Sequence, residues 1–333
     1  MTPEHPTAFV STGELPPPEL VRELVDEAYG RFASVDEGEP SQVYPALARA
    51  APELFGICVV GARGGVYGVG DADVEFTIMS VAKPFVFALV SAVLGPEEMR
   101  RRVGVNATGL AFNSLTAIEL GDEGRTNPMV NPGAIATAGL VPGTTTDDRW
   151  AFMVDGLSRF AARPLSLDED VFRSASETNH VNRSIANLLH SHGALAVEPT
   201  EALELYTRQS SLAVTARDLA TMGATLALGG VNPLSRERVV PAETCRYVLA
   251  VMTTSGLYET SGEWLYEVGL PGKSGIGGGI VTVAPGKGGL ATFAPPLDRA
   301  GNSVRGQLAT RFLSRALGLD IFMSRTEGAG TDT

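Results

Sequence analysis

Hydrophobic residues recur at helical spacing near the start of the chain and throughout its middle. Residues 17–32 have apolar side chains three to four positions apart and follow a run of prolines, a pattern typical of an amphipathic helix. Similar segments, separated by short polar breaks, fill residues 81–255. They predict helices over 84–95, 97–104, 133–140, 147–160, 182–191, 199–209, 215–228 and 242–254, and a last helix is predicted over 303–318.

Short apolar runs predict strands on both sides of this helical region. FGICVV (55–60), GGVYGVG (64–70) and VEFTI (74–78) are separated by turns containing Gly and Asp, so they predict a small antiparallel meander. Two further runs, GIVTVAP (279–285) and GGLATFAPP (288–296), follow the helices.

This order of elements predicts a sheet built from both ends of the chain. Residues 17–82 and 242–320 would together form an α/β sheet domain, and residues 83–241 a helical domain inserted between them. The segments 1–16 and 325–333 are predicted to be disordered tails.

Composition favours a compact enzyme over a nucleic-acid-binding protein. The 333 residues are 44% hydrophobic, and 26 basic against 38 acidic residues give a net charge of −12, which argues against nucleic acid or an anionic membrane as partner. The longest apolar stretch, FVFALVSAVLG, is too short to span a bilayer, and the first residues lack the pattern of a signal peptide. Cys58 and Cys245 do not form a disulfide framework. We therefore expect a cytoplasmic protein.

The chain has only three lysines, and one of them stands three residues after a serine. Ser80 and Lys83 lie where the run VEFTI passes into a predicted helix. Positions i and i+3 share a helix face, so the Lys83 amine can reach the Ser80 hydroxyl. A serine becomes nucleophilic when a neighbouring base takes its proton, and burial can lower the pKa of a lysine enough for that role. The alternative is a chance S-x-x-K.

A second lysine, Lys273, begins the sequence Lys273-Ser274-Gly275, which is followed by Ile276 and three glycines. Enzymes with S-x-x-K pair it with K-[TS]-G on a strand beside the cleft. A dinucleotide-binding loop does not fit, because these glycines lead into a strand and not into a helix. A flexible glycine hinge is the remaining alternative.

The segment NPMVNPGAI (127–135) is polar and turn-rich just before a predicted helix. Asn131 could cap that helix, or its side-chain amide could hold an amide or carboxylate substrate. Four other polar residues give weaker indications of function. His180, His190 and His192 lack the spacing and the companions of a metal site, and Asp298 is expected to lie in a turn between the last strand and the last helix.

Several longer strings carry a resemblance: FTIMSVAKPF, NPMVNPGAIAT, SSLAVTARDLA, TSGLYETSGEW, VGLPGKSGIGGGIVTVAPGK and PPLDRAGNSVRG. Together they resemble the serine-dependent glutaminase family from about residue 45 to residue 318. The resemblance implies a serine β-lactamase-like fold of the α/β (α+β) class, with an antiparallel sheet flanked by helices and an inserted all-helical domain. It also implies hydrolysis of L-glutamine to L-glutamate and ammonia through an acyl-enzyme, with no cofactor or metal.

The same resemblance implies roles for particular residues. Ser80 matches the nucleophile and Lys83 its base, while Tyr258 is expected to carry a proton to the departing ammonia. Substrate would be bound by Ser80, Asn131, Asn182, Tyr206, Tyr258 and the backbone of Ile276, and the N–H groups of Ser80 and Ile276 would hold the oxyanion. Lys273 is a further candidate. Asn182 follows Val181, where the family has an arginine.

Two positions depart from the family pattern. The family has a cleft tyrosine before the first strand. Val43 occupies that position here, and the tyrosine, Tyr44, comes one residue later. In an extended chain such a shift turns a side chain to the other face, so Tyr44 need not face the cleft. The family's carboxylate seven residues before Asn182 is Ala175 here. The pair Ser176-Glu177 favours replacement of this carboxylate by Glu177 from a re-registered loop. The alternative is that the carboxylate is missing, which would leave the exact substrate open.

The sequence therefore predicts a glutaminase that acts through Ser80. The alternatives are a related serine amidohydrolase that acts on another amide, as β-lactamases do, and a catalytically silent homologue that binds a small molecule. A homo-oligomer, either a dimer or a tetramer, is implied by the resemblance.

Overall fold

The computed structural model describes residues 13–323. The strands are β1 (Gly56–Gly61), β2 (Val66–Gly70), β3 (Phe76–Thr77), β4 (Ser166–Leu167), β5 (Leu212–Val214), β6 (Gly272–Ser274), β7 (Gly279–Ala284) and β8 (Gly288–Phe293). The helices are α1 (Pro18–Phe32), α2 (Ala82–Leu94), α3 (Pro96–Arg102), α4 (Thr116–Leu120), α5 (Asn131–Gly139), α6 (Thr146–Ala161), α7 (Glu169–Thr178), α8 (His180–Ser191), α9 (Pro199–Ser210), α10 (Ala216–Ala227), α11 (Ala242–Ser255), α12 (Ser261–Val268) and α13 (Val304–Ala316).

Every helix that the hydrophobic spacing predicts is present, within a few residues of the predicted ends. Three helices were not predicted: α4, α7 and α12. Helix α7 begins after Asp168, whose side chain accepts a hydrogen bond from the Val171 N–H, a capping signal that the sequence does contain. The predicted disorder of residues 1–12 and 325–333 lies outside the described residues. Residues 13–16 form no helix or strand, although Leu15 packs against the core.

Both ends of the chain form one five-stranded sheet, as predicted. Its strand order is β2-β1-β8-β7-β6, and all four pairings are antiparallel. Strands β1, β7 and β8 are buried along their whole length. This burial explains why their sequences read as continuous apolar runs and not as an alternation of polar and apolar residues.

The two faces of the sheet belong to two separate hydrophobic clusters. In β1, Ile57 and Val59 pack with α1 and α13, whereas Cys58 and Val60 pack in the larger cluster on the opposite face, which includes α2 and α10. This division follows from the two-residue period of a strand. Every residue of α2 from Ala82 to Ser91 is buried, and this part of the helix is accordingly apolar on almost all sides.

The third predicted strand of the N-terminal meander belongs to a different sheet. Strand β3 pairs with β5, with Phe76 opposite Val214, and β5 pairs with β4. The ribbon of β1 and β2 ends where Asp71 accepts a hydrogen bond from the Phe55 N–H and donates its own N–H to the Phe55 carbonyl. The chain then leaves the ribbon, and stacking of the Phe76 and Phe293 rings at 4.0 Å keeps β3 beside the large sheet.

The division of the chain into a sheet domain and an inserted helical domain stays a prediction. Two observations bear on its boundaries. Helix α10 lies within residues 83–241, yet it packs on the large sheet. Strands β4 and β5 also lie within that range, so the inserted region is not entirely helical.

Within residues 13–323, no single helix is long and apolar enough to cross a membrane. Only the pair Met79–Leu94 and Pro96–Arg102 reaches the required length and composition, and this pair is bent by 115°.

A tight junction between α11 and β6 leads to a prediction about stability. A Cβ on Gly256, directly after α11, would lie 1.8 Å from the Gly272 carbonyl oxygen, whereas a Cβ on Gly30 in α1 would meet nothing within 4 Å. We expect Gly256→Ala to lower the free energy of unfolding by about 1–3 kcal/mol through overpacking. The control Gly30→Ala should raise it by up to about 1 kcal/mol, because alanine is the better helix former. Urea denaturation measures both, and equal effects would contradict this view of the junction.

Candidate active site

A cleft of about 140 Å³ lies where the turn before α2 faces α8, α9 and the loop after β6. Its lining residues are Val43, Tyr44, Met79, Ser80, Phe112, Asn113, Asn131, Ala175, Thr178, Asn179, His180, Val181, Asn182, Tyr206, Thr207, Ser210, Tyr258 and Ile276. Seven of the predicted site residues are among them. Lys83, Lys273 and Glu177 are not. A larger cavity of about 700 Å³, lined by residues between 100 and 126, contains none of the predicted residues.

Ser80 lies in the 3₁₀ turn Met79–Val81, which continues directly into α2. The preceding Met79 has a φ of 47°, a conformation that is unfavourable for a residue with a side chain. A Cβ on Gly275 would lie 3.2 Å from the Ser80 nitrogen, and a Cβ on Gly277 would lie 2.4 Å from the Thr77 oxygen. The glycines after Lys273 therefore allow the loop to approach the serine turn closely.

Lys83 is fully buried beneath the cleft. Its amine donates hydrogen bonds to Asn131 Oδ1 at 2.6 Å and to the Met129 carbonyl at 3.4 Å. Burial lowers the pKa of Lys83 from 10.5 to about 7, because the charged amine has lost its water. A neutral amine, which can accept a proton, is therefore well populated at neutral pH.

Asn131 is the first residue of α5 and does not cap it. Val130 occupies the cap position, and no side chain caps this helix. The Asn131 amide instead donates to Asn182 Oδ1 at 2.8 Å, and its oxygen also accepts from the Tyr206 hydroxyl at 3.1 Å. The capping interpretation of Asn131 is thus wrong, because its side chain is used for contacts between helices.

Two tyrosines enclose the site. Burial raises the pKa of Tyr258 to about 12 and that of Tyr206 well above 10, so both hydroxyls remain protonated at neutral pH. The Tyr258 hydroxyl donates to the Ser274 carbonyl at 3.4 Å, and its backbone has a φ of 53°. Tyr258 is thus the second residue of the cleft lining, after Met79, with an unfavourable backbone conformation.

Lys273 lies outside the cleft and contacts Tyr258 from behind. Its buried amine donates to the Gly256 carbonyl at 2.8 Å and to the Ser274 carbonyl at 2.7 Å, and it lies 4.4 Å from the centre of the Tyr258 ring. Burial is the main reason that its pKa is well below 10.5, and the nearby positive charge of Lys83 adds to the shift. In this position Lys273 joins β6 to the end of α11.

Tyr44 faces the cleft, contrary to the argument from strand alternation. Residues 43–46 form bends and turns, so the two-residue period does not apply to them. The Tyr44 side chain is buried and lies 3.4 Å from Asn179 Oδ1, to which its hydroxyl donates. Burial raises its pKa to about 12.

Among residues 13–323, none that lines the cleft has a carboxylate. Ala175 is buried and lines the cleft, while Glu177 on the same helix is exposed to solvent and lies outside it. The structure therefore favours a missing carboxylate over its replacement by Glu177. His180, the only histidine in the lining, is exposed at the rim, and His190 and His192 are exposed elsewhere.

Other positions match or extend the sequence-based predictions. Asp298 lies in a turn, where its carboxylate accepts from the N–H groups of Ala300 and Asn302. Ile276 is in the lining, and the binding role of its backbone stays a prediction. Asn179 and Thr207 were not predicted, although Asn179 precedes Asn182 by three residues and this spacing was a usable signal.

Comparisons with known proteins agree on one family. The glutaminase family model matches residues 38–322. "Glutaminase 2" of Yersinia pestis is 64% identical over 95% of this chain and 93% of its own length, and a "Glutaminase" of Brucella canis is 47% identical over 92% and 97%. The chain belongs to the glutaminase family. A solved structure described as "Probable glutaminase ybaS" is 42% identical to this glutaminase-family chain, covers 92% of it and 99% of its own length, and has a TM-score of 0.90.

The solved relatives confirm the predicted fold class, a mixed α/β fold of the serine β-lactamase type with an antiparallel sheet and flanking helices. The family membership of the chain rests on almost its whole length and not on the S-x-x-K motif alone.

Burial of the Lys83 amine makes the stability of this glutaminase-family chain depend on pH. The pKa of Lys83 is about 7 in the folded chain and 10.5 when solvated, so unfolding between these pH values takes up a proton and the free energy of unfolding rises with pH. In Lys83→Met, we expect a smaller rise from pH 7 to about pH 9 than in the wild type. Urea denaturation at several pH values measures this. An unchanged slope would contradict the burial of a titrating amine.

Proposed function

We propose that this chain hydrolyses L-glutamine to L-glutamate and ammonia through an acyl-enzyme on Ser80. The observation that carries the proposal is a serine at the base of a small cleft, one helical turn before a buried lysine whose pKa is about 7. Membership of the glutaminase family and 64% identity to a glutaminase support the reaction.

In the first step, neutral Lys83 removes the proton of the Ser80 hydroxyl, and the oxygen attacks the side-chain carboxamide of the substrate. The resulting oxyanion is held by the backbone N–H groups of Ser80 and Ile276. The carbon–nitrogen bond then breaks. The proton held by Lys83 passes through the Tyr258 hydroxyl to the departing nitrogen, which leaves as ammonia. Lys83 is then neutral again, and an ester remains on Ser80.

In the second step, a water molecule attacks the Ser80 ester and gives up its proton to the neutral amine of Lys83. The bond to Ser80 breaks, Lys83 returns the proton to the Ser80 oxygen, and L-glutamate leaves. The nucleophile and the base are side chains of this protein, so the proposal requires no metal or organic cofactor.

Substrate recognition is assigned to neutral polar groups. Asn131, Asn182 and Tyr206 are joined by hydrogen bonds around the cleft and offer both donors and acceptors to an amino acid. Tyr44 adds a hydroxyl on the side of Ala175. With no carboxylate in the lining, the α-amino group of the substrate would be held by neutral oxygens alone.

The two alternative functions make different predictions. A β-lactamase-type enzyme should turn over nitrocefin, and a silent binding homologue should release no ammonia from any amide. The family match over residues 38–322 and the intact Ser80 and Lys83 favour glutamine hydrolysis over both. Ammonia release from a panel of amides by the purified protein separates the three functions.

We also propose that the protein is a cytoplasmic homo-oligomer, either a dimer or a tetramer, as the family resemblance implies. Light scattering of the purified chain measures its mass in solution.

Loss of the nucleophile or of the base should abolish the reaction. We expect Ser80→Ala and Lys83→Ala each to reduce kcat by about 10⁴-fold or more, and the double variant to be no worse, since both residues act in one proton transfer. Lys83→Arg should fail nearly as badly, because a guanidinium keeps its proton. Circular dichroism checks the fold. Ammonia release by Ser80→Ala at near the wild-type rate would disprove the assignment.

The missing carboxylate leads to a second prediction. Glu177→Gln should leave KM for L-glutamine within about twofold, like the control Glu169→Gln on the same helix, because both side chains face solvent. Ala175→Glu places a carboxylate in the lining, and we expect KM for L-glutamine to fall by about tenfold. Steady-state kinetics measures all three variants. A tenfold rise in KM for Glu177→Gln alone would mean that Glu177 contacts the substrate after all.

A further inference from the structure

Three asparagine side chains beside the cleft are joined in one unbroken line of hydrogen bonds that begins at Lys83. The donor-to-acceptor pairs are Lys83 Nζ to Asn131 Oδ1 (2.6 Å), Asn131 Nδ2 to Asn182 Oδ1 (2.8 Å), Asn182 Nδ2 to Asn179 Oδ1 (2.6 Å), Asn179 Nδ2 to Thr207 Oγ1 (3.2 Å) and Thr207 Oγ1 to the Leu203 carbonyl (2.7 Å). We call these residues the amide chain. Four helices, α2, α5, α8 and α9, contribute to it, together with the junction before α8.

All the bonds of the amide chain run in one direction, which the protonated amine at one end and the backbone carbonyl at the other both require. A lysine ammonium has only donors, so Asn131 must turn its oxygen to Lys83 and its NH₂ to the next residue. Asn182 and Asn179 follow the same rule, because each amide that accepts with its oxygen can donate only with its NH₂ group. At the far end, Thr207 donates to a backbone carbonyl, which can only accept.

Asn179 does not perform the local role that an asparagine commonly has at its position. It lies between α7 and α8, at the cap position of α8, where an asparagine side chain commonly accepts from the helix backbone. No capping bond is made there. The side chain is instead only 5% exposed and points inward, where it joins Asn182 to Thr207.

We propose that Asn179 is a positioning residue for Lys83: it fixes the orientation of the Asn182 amide, which holds Asn131 Oδ1 against the lysine amine. The inference rests on the proposed function, in which Lys83 is the base. Neither the family resemblance nor any predicted role in the site includes Asn179.

The orientation matters because of the number of hydrogens on the lysine. A neutral amine has two N–H donors and one lone pair, and the acceptors Asn131 Oδ1 and the Met129 carbonyl match the two donors. The lone pair then remains free for the proton of Ser80. Once Lys83 has taken that proton, Asn131 Oδ1 stabilises the positive charge, and the aligned bonds behind it strengthen this effect.

The other groups around Lys83 do not supply negative charge. The ring of Tyr206 from α9 has its centre 5.7 Å from the amine, and the Tyr206 and Tyr258 hydroxyls are neutral at pH 7. Lys273 from β6 adds positive charge. Asn131 Oδ1 makes the shortest hydrogen bond to the amine, so the orientation of its amide should affect the pKa of the base.

The test is the pH dependence of kcat/KM for L-glutamine, measured with the purified full chain. Its acidic limb reports the conversion of Lys83 to the neutral base. In Asn179→Ala the Asn182 amide loses its acceptor, the support for the ammonium weakens, and we expect the limb to move to lower pH by about 0.5–1 unit. The plateau of kcat should fall by about tenfold. Thr207→Val, which keeps the side-chain volume, should move the limb in the same direction by less.

Two further variants separate positioning from stability. Asn232 is a buried asparagine elsewhere that bonds to the Arg159 and Phe160 carbonyls, so Asn232→Ala controls for the loss of a buried amide and should leave the limb in place. Asn179→Asp keeps the oxygen that accepts from Asn182, and its limb should stay at or above the wild-type pH.

The inference on Asn179 is overturned if the limb of a folded Asn179→Ala stays at the wild-type pH, or if Asn232→Ala moves it equally. Should Asn179→Ala fail to fold, Thr207→Val decides in the same way. Failure of the proposed function looks different, because Ser80→Ala would then retain turnover whatever the Asn179 variants do.

Discussion

The burial of one lysine amine without a carboxylate partner is the constraint on which the rest of the site depends. Removing an ammonium from water is costly, and a protein commonly answers with an opposite charge or with loss of the proton. Lys83 has two oxygens, Asn131 Oδ1 and the Met129 carbonyl, and its pKa falls to about 7. This arrangement requires the start of α2 to be buried, and α5, α6 and α11 pack against this helix.

The fold brings the parts of the site together through its sheet topology. The chain ends pair in one sheet, so β6 and the glycines after it lie against the turn that carries Ser80, although almost 200 residues separate them in sequence. Met79 and Tyr258 hold positive φ angles at the cleft. Backbone conformations of this kind persist only where surrounding contacts impose them, and here the close approach of the Gly275 loop and the hydrogen bonds of Lys273 supply those contacts.

The chain has the fold of its family, and the cleft beside Ser80 has a neutral lining where the resemblance implied a carboxylate. Ala175 stands where a carboxylate was expected, and no aspartate, glutamate, lysine or arginine is among the described lining residues. The amide chain fits this setting, because it provides oriented dipoles in place of a full charge. Amide dipoles hold their direction only when both ends are fixed, which Lys83 and the Leu203 carbonyl do.

Much of the fold and the centre of the site could be predicted from the sequence, because helix and strand periodicity and the spacing of Ser80 and Lys83 are local properties. The amino-acid order by itself determined the principal helices, the strands at both ends and a serine–lysine pair on one helix face. The tertiary structure alone decided that Tyr44 faces the cleft, that Glu177 faces solvent, and that Asn131 serves Lys83 instead of a helix end. It also decided that Asn179 joins the site. These outcomes depend on side-chain directions in bends and on contacts between residues far apart in sequence, and a local pattern carries no record of either.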